Sequence, residues 1–200
     1  MKARGERFEW NGGHPALDLV NTLDERPSDA PIEKLATYRD LVQFSELARL
    51  IEHGTAGRLL RLGARSGSQI VKRARELREH LHDMLAAANS GRRARQSDLD
   101  ALSAAIQAAH AAQVLEVSAS PGLASCRWSP SSSAEIPLHA CALAIERLLV
   151  GEERKRIRKC EASDCDAYYL DTSKGQRRQW CSMKGCGNRE KQRRRRSAKQ

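Results

Sequence analysis

From Tyr38 to His53 the apolar residues Leu41, Val42, Phe44, Leu47, Ala48 and Ile51 recur three and four positions apart. That spacing puts them on one face of a helix, and Gly54 ends it. Thr55 can cap a short helix reaching Leu62. The clearest period comes next. Ser68 stands at a cap position, and Ile70, Val71, Ala74, Leu77, Leu81, Met84, Leu85 and Ala88 follow in helical register up to Gly91. Ser97 then opens the alanine-rich stretch DLDALSAAIQAAHAAQ. At Val114 the period shortens to two: Val114, Glu116 and Ser118 alternate with Leu115, Val117 and Ala119. Pro121-Gly122 predicts the turn of a hairpin that resumes from Leu123 to Trp128. Helical spacing returns near Pro137 and stops at Gly151. Ahead of all this, Gly12 and Gly13 break the chain, and Pro15 suits the first turn of a short helix carrying Leu17, Leu19, Val20 and Leu23.

These elements predict a mainly α fold with a small β-hairpin (α+β). A helical N-terminal domain covers 1–150, a basic linker 151–159, and a small C-terminal module 160–200. Composition agrees. Hydrophobic residues make up 40% of the 200-residue chain but aromatics only 4%, so the core is built of Leu, Ala, Ile and Val and favours helices. The start, MKARGERFEW, contains no signal-peptide apolar run, and no stretch reaches the roughly 18 apolar residues of a membrane helix. A soluble, cytoplasmic protein without a membrane partner is expected.

Charge changes the picture. Residues 151–200 hold 16 Lys and Arg against 7 Asp and Glu, a net of +9, whereas the first 150 hold 19 against 18. Such asymmetry points to a polyanion bound at one end. The same end carries four of the six cysteines. Four residues separate Cys160 from Cys165 and four separate Cys181 from Cys186, with fifteen residues between the pairs. Four thiolates close a tetrahedral zinc site and leave no position for substrate, so one structural Zn²⁺ per chain is predicted. The intervening stretch reads as a hairpin of Tyr168–Leu170 and Arg178–Trp180 that returns the second pair to the first. Cys126 and Cys141 read as small buried hydrophobes.

Beyond Cys186, Gly187 permits a close approach and Asn188 can cap a helix beginning at Arg189. From Arg189 to Gln200 the only apolar residue is Ala198, so the helix has no face to bury. It suits a groove walled by phosphates. Arg189, Lys191, Arg193, Arg194, Arg195 and Arg196 are the candidate nucleic-acid contacts, with Arg177 and Arg178 of the hairpin as backbone contacts. Arg189, nearest the zinc, is the candidate to read a base edge.

The run C-x4-C-x-x-Y-Y-x-D-x-S followed by R-R-Q-W-C-S-M-K-G-C-G-N-R-x-K resembles the CGNR zinc finger. The front motif GGHPALDLVNT resembles the ABATE domain that accompanies this finger in bacterial proteins described as stress-induced transcription regulators. One departure is visible: Gln179 separates Arg178 from Trp180, where the family pattern would place arginine. The resemblance implies a zinc-bound finger on double-stranded DNA and a regulatory N-terminal domain. The same charge suits RNA as an alternative partner, with Tyr168 or Tyr169 stacking on a base. A zinc-stapled protein adapter is the other alternative. A finger this small leaves room for a homodimer.

No enzyme is expected: the chain has no P-loop, no dinucleotide fingerprint, no nucleophile elbow and no His-Glu-x-x-His. His14, Asp18, Asn21 and Thr22 are candidates for a small-ligand pocket, the favoured reading being turn and cap residues that tie the N-terminus to the bundle.

Overall fold

The computed structural model describes residues 7–62, 66–117 and 124–197. The chain divides into two compact units, one of Leu35–Arg147 and the other joining residues up to Lys34 with those from Leu148 on.

The first unit is helical. Helix α2 (Tyr38–Leu47) begins in a capping box: the Thr37 hydroxyl accepts from the Asp40 amide, and the Asp40 carboxylate accepts from the Thr37 amide at 2.7 Å. The predicted period ran on to Ile51, but the helix stops at Leu47 because Arg49 takes a left-handed φ of 57°. Helix α3 (His53–Leu62) therefore starts two residues before the expected Thr55 cap. Helix α4 (Gly67–Asn89) and helix α5 (Gln96–Ala111) follow, each beginning one residue ahead of its expected serine cap. Strands β3 (Gln113–Glu116) and β4 (Ser125–Trp128) pair antiparallel with Leu115 opposite Cys126, forming the predicted hairpin; its Pro121-Gly122 turn lies outside the described residues. Cys141 is buried as expected, whereas Cys126 is exposed, because Ser125, Cys126 and Arg127 of β4 are exposed on both faces of the strand. Helix α6 (Ile136–Val150) closes the series. Ile136 and Ala140 pack with Val42, Ile51, Ala56 and Leu59 into an aliphatic core edged by Tyr38 and Trp128. Arg75 of α4 donates to the Leu35 and Ala36 carbonyls at 2.8 and 2.9 Å, fixing the entry to α2.

The second unit is built from both ends of the chain. Helix α1 (Pro15–Val20) has His14 as its cap, with Nδ1 accepting from the Ala16 amide at 3.1 Å, and Pro15 in the first turn. Strands β1 (Leu23–Asp24) and β2 (Ile32–Glu33) form a two-residue ladder that no period in the sequence signals. From the other end come β5 (Ile157–Lys159) and β6 (Tyr168–Leu170), an antiparallel pair with Arg158 opposite Tyr169. The partner of Tyr168–Leu170 is thus Ile157–Lys159, not Arg178–Trp180. Arg178 turns inward instead, and residues of the expected linker become a strand.

Alternation along β6 decides what lies beside it. The Cys160 amide donates to the Ala167 carbonyl at 2.9 Å and the Asp171 amide to the Arg156 carbonyl at 2.9 Å, so odd-numbered residues face β5. Even-numbered residues face the front of the chain. The Asn21 amide donates to the Tyr168 carbonyl at 2.9 Å and accepts from the Tyr168 amide at 3.0 Å, and the Leu170 amide donates to the Gly12 carbonyl at 2.8 Å. The edge of a two-stranded ribbon is closed by one side-chain amide and one loop carbonyl. Gly12 is required there: a Cβ would stand 2.8 Å from Leu17 Cβ and 2.9 Å from the Asp18 carboxylate.

Candidate metal centre

Each cysteine pair sits on a turn that its own backbone closes. In the first, the Cys165 amide donates to the Ala162 carbonyl at 3.0 Å. In the second, the Ser182 hydroxyl accepts from the Gly185 amide at 3.2 Å and the Ser182 carbonyl from the Gly187 amide at 3.0 Å. That turn is a π-helical stretch, Met183–Gly187, running directly into α7 (Asn188–Ser197). Asn188 is therefore already helical, at φ −70° and ψ −38°, and Ser182 does the capping. A Cβ on Gly187 would meet Met183 Sδ at 2.9 Å and the Trp180 ring at 3.3 Å, so only glycine lets the turn pass beneath the tryptophan.

The two turns bring Cys160, Cys165, Cys181 and Cys186 together, their sulfurs all within 4.8 Å of one another. Cys165 and Cys181 Sγ are 3.8 Å apart and Cys181 and Cys186 Sγ 3.5 Å. With zinc–sulfur bonds of about 2.3 Å, the edge of a tetrahedral four-thiolate site is about 3.8 Å. The donor set and the spacing fit zinc. Protonation points the same way. Hydrogen bonds from Cys165 and Cys181 pull the Cys160 thiol down to about 2, while the bond to Cys160 pushes Cys165 up to about 12 and Cys181 up as well, and burial raises Cys186. A divalent ion held among the four sulfurs lets all of them ionise. Among the described residues, the hydrophobic side chains packed with the cysteines are Ala162, Ala167, Tyr169 and Trp180, a core too small to hold the module by burial alone.

The charged candidates divide into two groups. Arg178 is committed inward. It stands 4.3 Å over the Tyr169 ring, donates to the Trp180 carbonyl at 2.8 Å and to the Cys181 carbonyl, and reaches the Asn11 carbonyl at 3.4 Å. Its own carbonyl accepts from the Tyr169 hydroxyl. Arg189 forks onto Asp164 with two bonds of 3.1 Å and donates to Cys186 Sγ at 3.3 Å; the Cys181 amide donates likewise to Cys160 Sγ at 3.4 Å. Such bonds to sulfur offset the double negative charge of a zinc–tetrathiolate. Arg193 reaches Asp164 at 2.9 Å and Glu190 at 2.7 Å, and donates to Ser163. The Arg189 guanidinium, first among several causes, holds the Asp164 carboxyl below the usual carboxylate range. By contrast, Arg177, Lys191, Arg194, Arg195 and Arg196 are exposed and form no ion pair with any described residue. Asp164 was not among the sequence candidates; its signal is an acid that, with Glu161, sits inside the C-x4-C turn ahead of a helix of arginines.

The front-motif candidates hold the fold. His14 caps α1, Asp18 accepts from the Gly12 amide at 2.8 Å, Asn21 closes β6 and the Thr22 hydroxyl donates to the Leu19 carbonyl at 2.6 Å. Only Asn21 of these also borders a groove of about 820 Å³ between residues 9–28 and the two cysteine turns, where Glu9, Asp24, Glu25, Asp164 and Asp166 outnumber Arg26, Lys184 and Arg189.

Residues 13–152 match the ABATE family model, whose description is "Putative stress-induced transcription regulator". The chain belongs to the ABATE family. Residues 156–199 of this ABATE chain match the CGNR zinc finger, so the four cysteines are those of a structural zinc site. Neither description is of an enzyme. No curated protein matches the chain. Among the described residues, no helix is long and apolar enough to cross a membrane.

Proposed function

We propose that this chain is a zinc-dependent regulator that binds duplex DNA through α7, with the zinc module aiming the helix and the rest of the chain serving regulation. The observation that carries this reading is the division of the α7 charges into two groups. Arg189, Glu190 and Arg193 bind back onto Ser163 and Asp164 of the first cysteine turn, while Lys191, Arg194, Arg195 and Arg196 form no ion pair with any described residue. Bound zinc ties the two cysteine turns together. Arg189 then connects the second turn to the first through Asp164, so the helix leaves the module in a fixed direction. Arg178 and Arg193 act as positioning residues in this reading, and Arg177 adds a backbone contact from the Ser173–Gln176 turn. The acid-rich groove repels phosphate and leaves the unpaired cations of α7 as the docking side.

An RNA partner gains no stacking platform from Tyr168 or Tyr169, which are 1% and 0% exposed. A protein adapter is separated by salt. Five cations, Arg177 and the four unpaired ones of α7, on five phosphates imply a slope of log affinity against log salt of about −4.5 on duplex DNA. Fluorescence anisotropy of the zinc-loaded chain on a random-sequence duplex measures it. Replacing Arg194, Arg195 and Arg196 with Ala should flatten the slope to about −2. Binding that ignores salt, or none to duplex DNA, would overturn the proposal.

A further inference from the structure

Cys165, Cys181 and Cys186 line the groove between residues 9–28 and the cysteine turns. Their access to it differs. Cys181 and Cys186 are 4% and 5% exposed, and Cys160 is 5% exposed, whereas Cys165 is only half-buried. Neighbouring donors widen the difference. Arg189 covers Cys186, donating to its sulfur at 3.3 Å, and the Cys181 amide donates to Cys160 Sγ at 3.4 Å. Cys165 takes a backbone hydrogen bond from Ala167, which leaves its groove side open.

A cysteine that holds zinc is a thiolate at neutral pH, where a free thiol is mostly protonated, and the thiolate is the nucleophile. Its oxidation then follows access, because susceptibility tracks thiolate character and exposure together. A groove of about 820 Å³ admits a small molecule, and its charge selects among them. Carboxylates outnumber cations along its walls, and a zinc–tetrathiolate adds two negative charges at its end. An anionic reagent is repelled there, and an uncharged one is not.

We infer that Cys165 is a modification site, the thiolate through which a small uncharged oxidant of the hydroperoxide class enters the zinc centre. Its sulfur attacks one peroxide oxygen, the O–O bond breaks, and the other oxygen leaves as hydroxide that takes a proton from solvent. Cys181 Sγ, 3.8 Å away, then attacks the sulfenic sulfur of Cys165. The S–O bond breaks as the S–S bond forms, and a second hydroxide leaves and is protonated. Two thiolates have lost two electrons, and the peroxide has become two waters. Cys160 and Cys186 are then the ligands that remain, too few to hold zinc in a closed site. A thiol reductant reopens the disulfide. The oxidation does not depend on the DNA-binding reading; its consequence, that α7 loses its aim, rests on it.

Peptide mapping of the zinc-loaded full chain tests the assignment without a substitution. Brief treatment with iodoacetamide should label Cys165 ahead of Cys160, Cys181 and Cys186. Iodoacetate is close to it in size but anionic, and exposed Cys126 of the helical unit calibrates the reactivity of the two reagents. At low salt the preference for iodoacetamide should be about 10-fold greater at Cys165 than at Cys126, and it should narrow as salt is raised. Hydrogen peroxide should release the zinc, read by a chromogenic chelator, in step with a first disulfide that contains Cys165. Label appearing first on another of the four ligands, a first disulfide without Cys165, or zinc kept after Cys165 is oxidised would overturn the site. Equal preference at Cys165 and Cys126 would overturn the groove as the route. Anisotropy on duplex DNA before and after peroxide separates this inference from the DNA-binding reading. If zinc leaves by way of Cys165 and affinity for DNA is unchanged, the oxidation stands and zinc does not aim α7. A chain that binds no duplex DNA even before peroxide sinks the DNA-binding reading and leaves the oxidation intact.

Discussion

Asp18 is 7% exposed and accepts a hydrogen bond from the Gly12 amide, the residue whose carbonyl closes the edge of β6. Burial, partly opposed by that amide, raises its pKa from 3.8 to about 6. The folded chain therefore holds the proton more tightly than the unfolded one. The stability this group contributes is complete below pH 3.8 and is lost as pH rises through about 6. Asp18→Asn keeps an acceptor for the Gly12 amide and never ionises. Its advantage over wild type should grow by roughly 1 kcal/mol between pH 5 and pH 7.5. Urea unfolding of both zinc-loaded proteins at each pH measures it, and comparing them at the same pH cancels the protons that the cysteines take up. An advantage that does not change with pH would mean that Asp18 ionises as freely in the fold as in water. The sequence groups Asp18 with His14, Asn21 and Thr22 as pocket or cap residues, but nothing local says that the carboxylate faces a buried glycine amide rather than a ligand. That fact depends on a close approach that only the packed fold creates.

Element by element, legibility followed the range of the forces involved. The cysteine turns were readable because metal geometry constrains ligands a few residues apart, and α4 and α6 because long apolar stripes survive any tertiary context. The partner of β6 was not readable. Ile157–Lys159 is three residues long and mostly charged, so it has no period, and it looks like linker until Cys160 is anchored to Ala167. The far edge of β6 was hidden for a different reason: it is closed 147 positions away in sequence by the Asn21 side chain. That contact has a measurable consequence. Asn21→Ala leaves the Tyr168 N–H and C=O without their partner in a partly buried place, which costs about 1–3 kcal/mol. Asn21→Asp rescues only the bond to the N–H and opposes an oxygen to the Tyr168 carbonyl, so it should do no better. Zinc release to a competing chelator, followed by absorbance, should speed up in both variants. Release at the wild-type rate would mean that the ribbon is held by β5 and the metal alone.

The same bonds decide how the chain is divided as a whole. Boundaries at 150 and 160 follow composition and charge, and the family models place theirs between 152 and 156. The compact units follow hydrogen bonds, and these join Gly12, Asn11 and Asn21 to Leu170, Arg178 and Tyr168. The ABATE front motif is therefore packed with the CGNR finger, while Leu35–Arg147 has a core of its own in Val42, Leu59, Ile136 and their neighbours. A finger with so little apolar core depends on zinc for its fold, so removing zinc should release whatever that fold holds. Hydrogen exchange read by mass spectrometry, on the full chain with zinc and after chelation, tests the division directly. Peptides covering 156–189 should exchange faster after chelation in any account. Peptides covering 14–22 should accelerate with them, because α1 loses the strand that Asn21 and Gly12 border. Peptides from α4 and α5 should keep their protection. If the front segment stays protected along with α4 and α5 once zinc is gone, it is held by the helical core, and the finger ends where the charge begins.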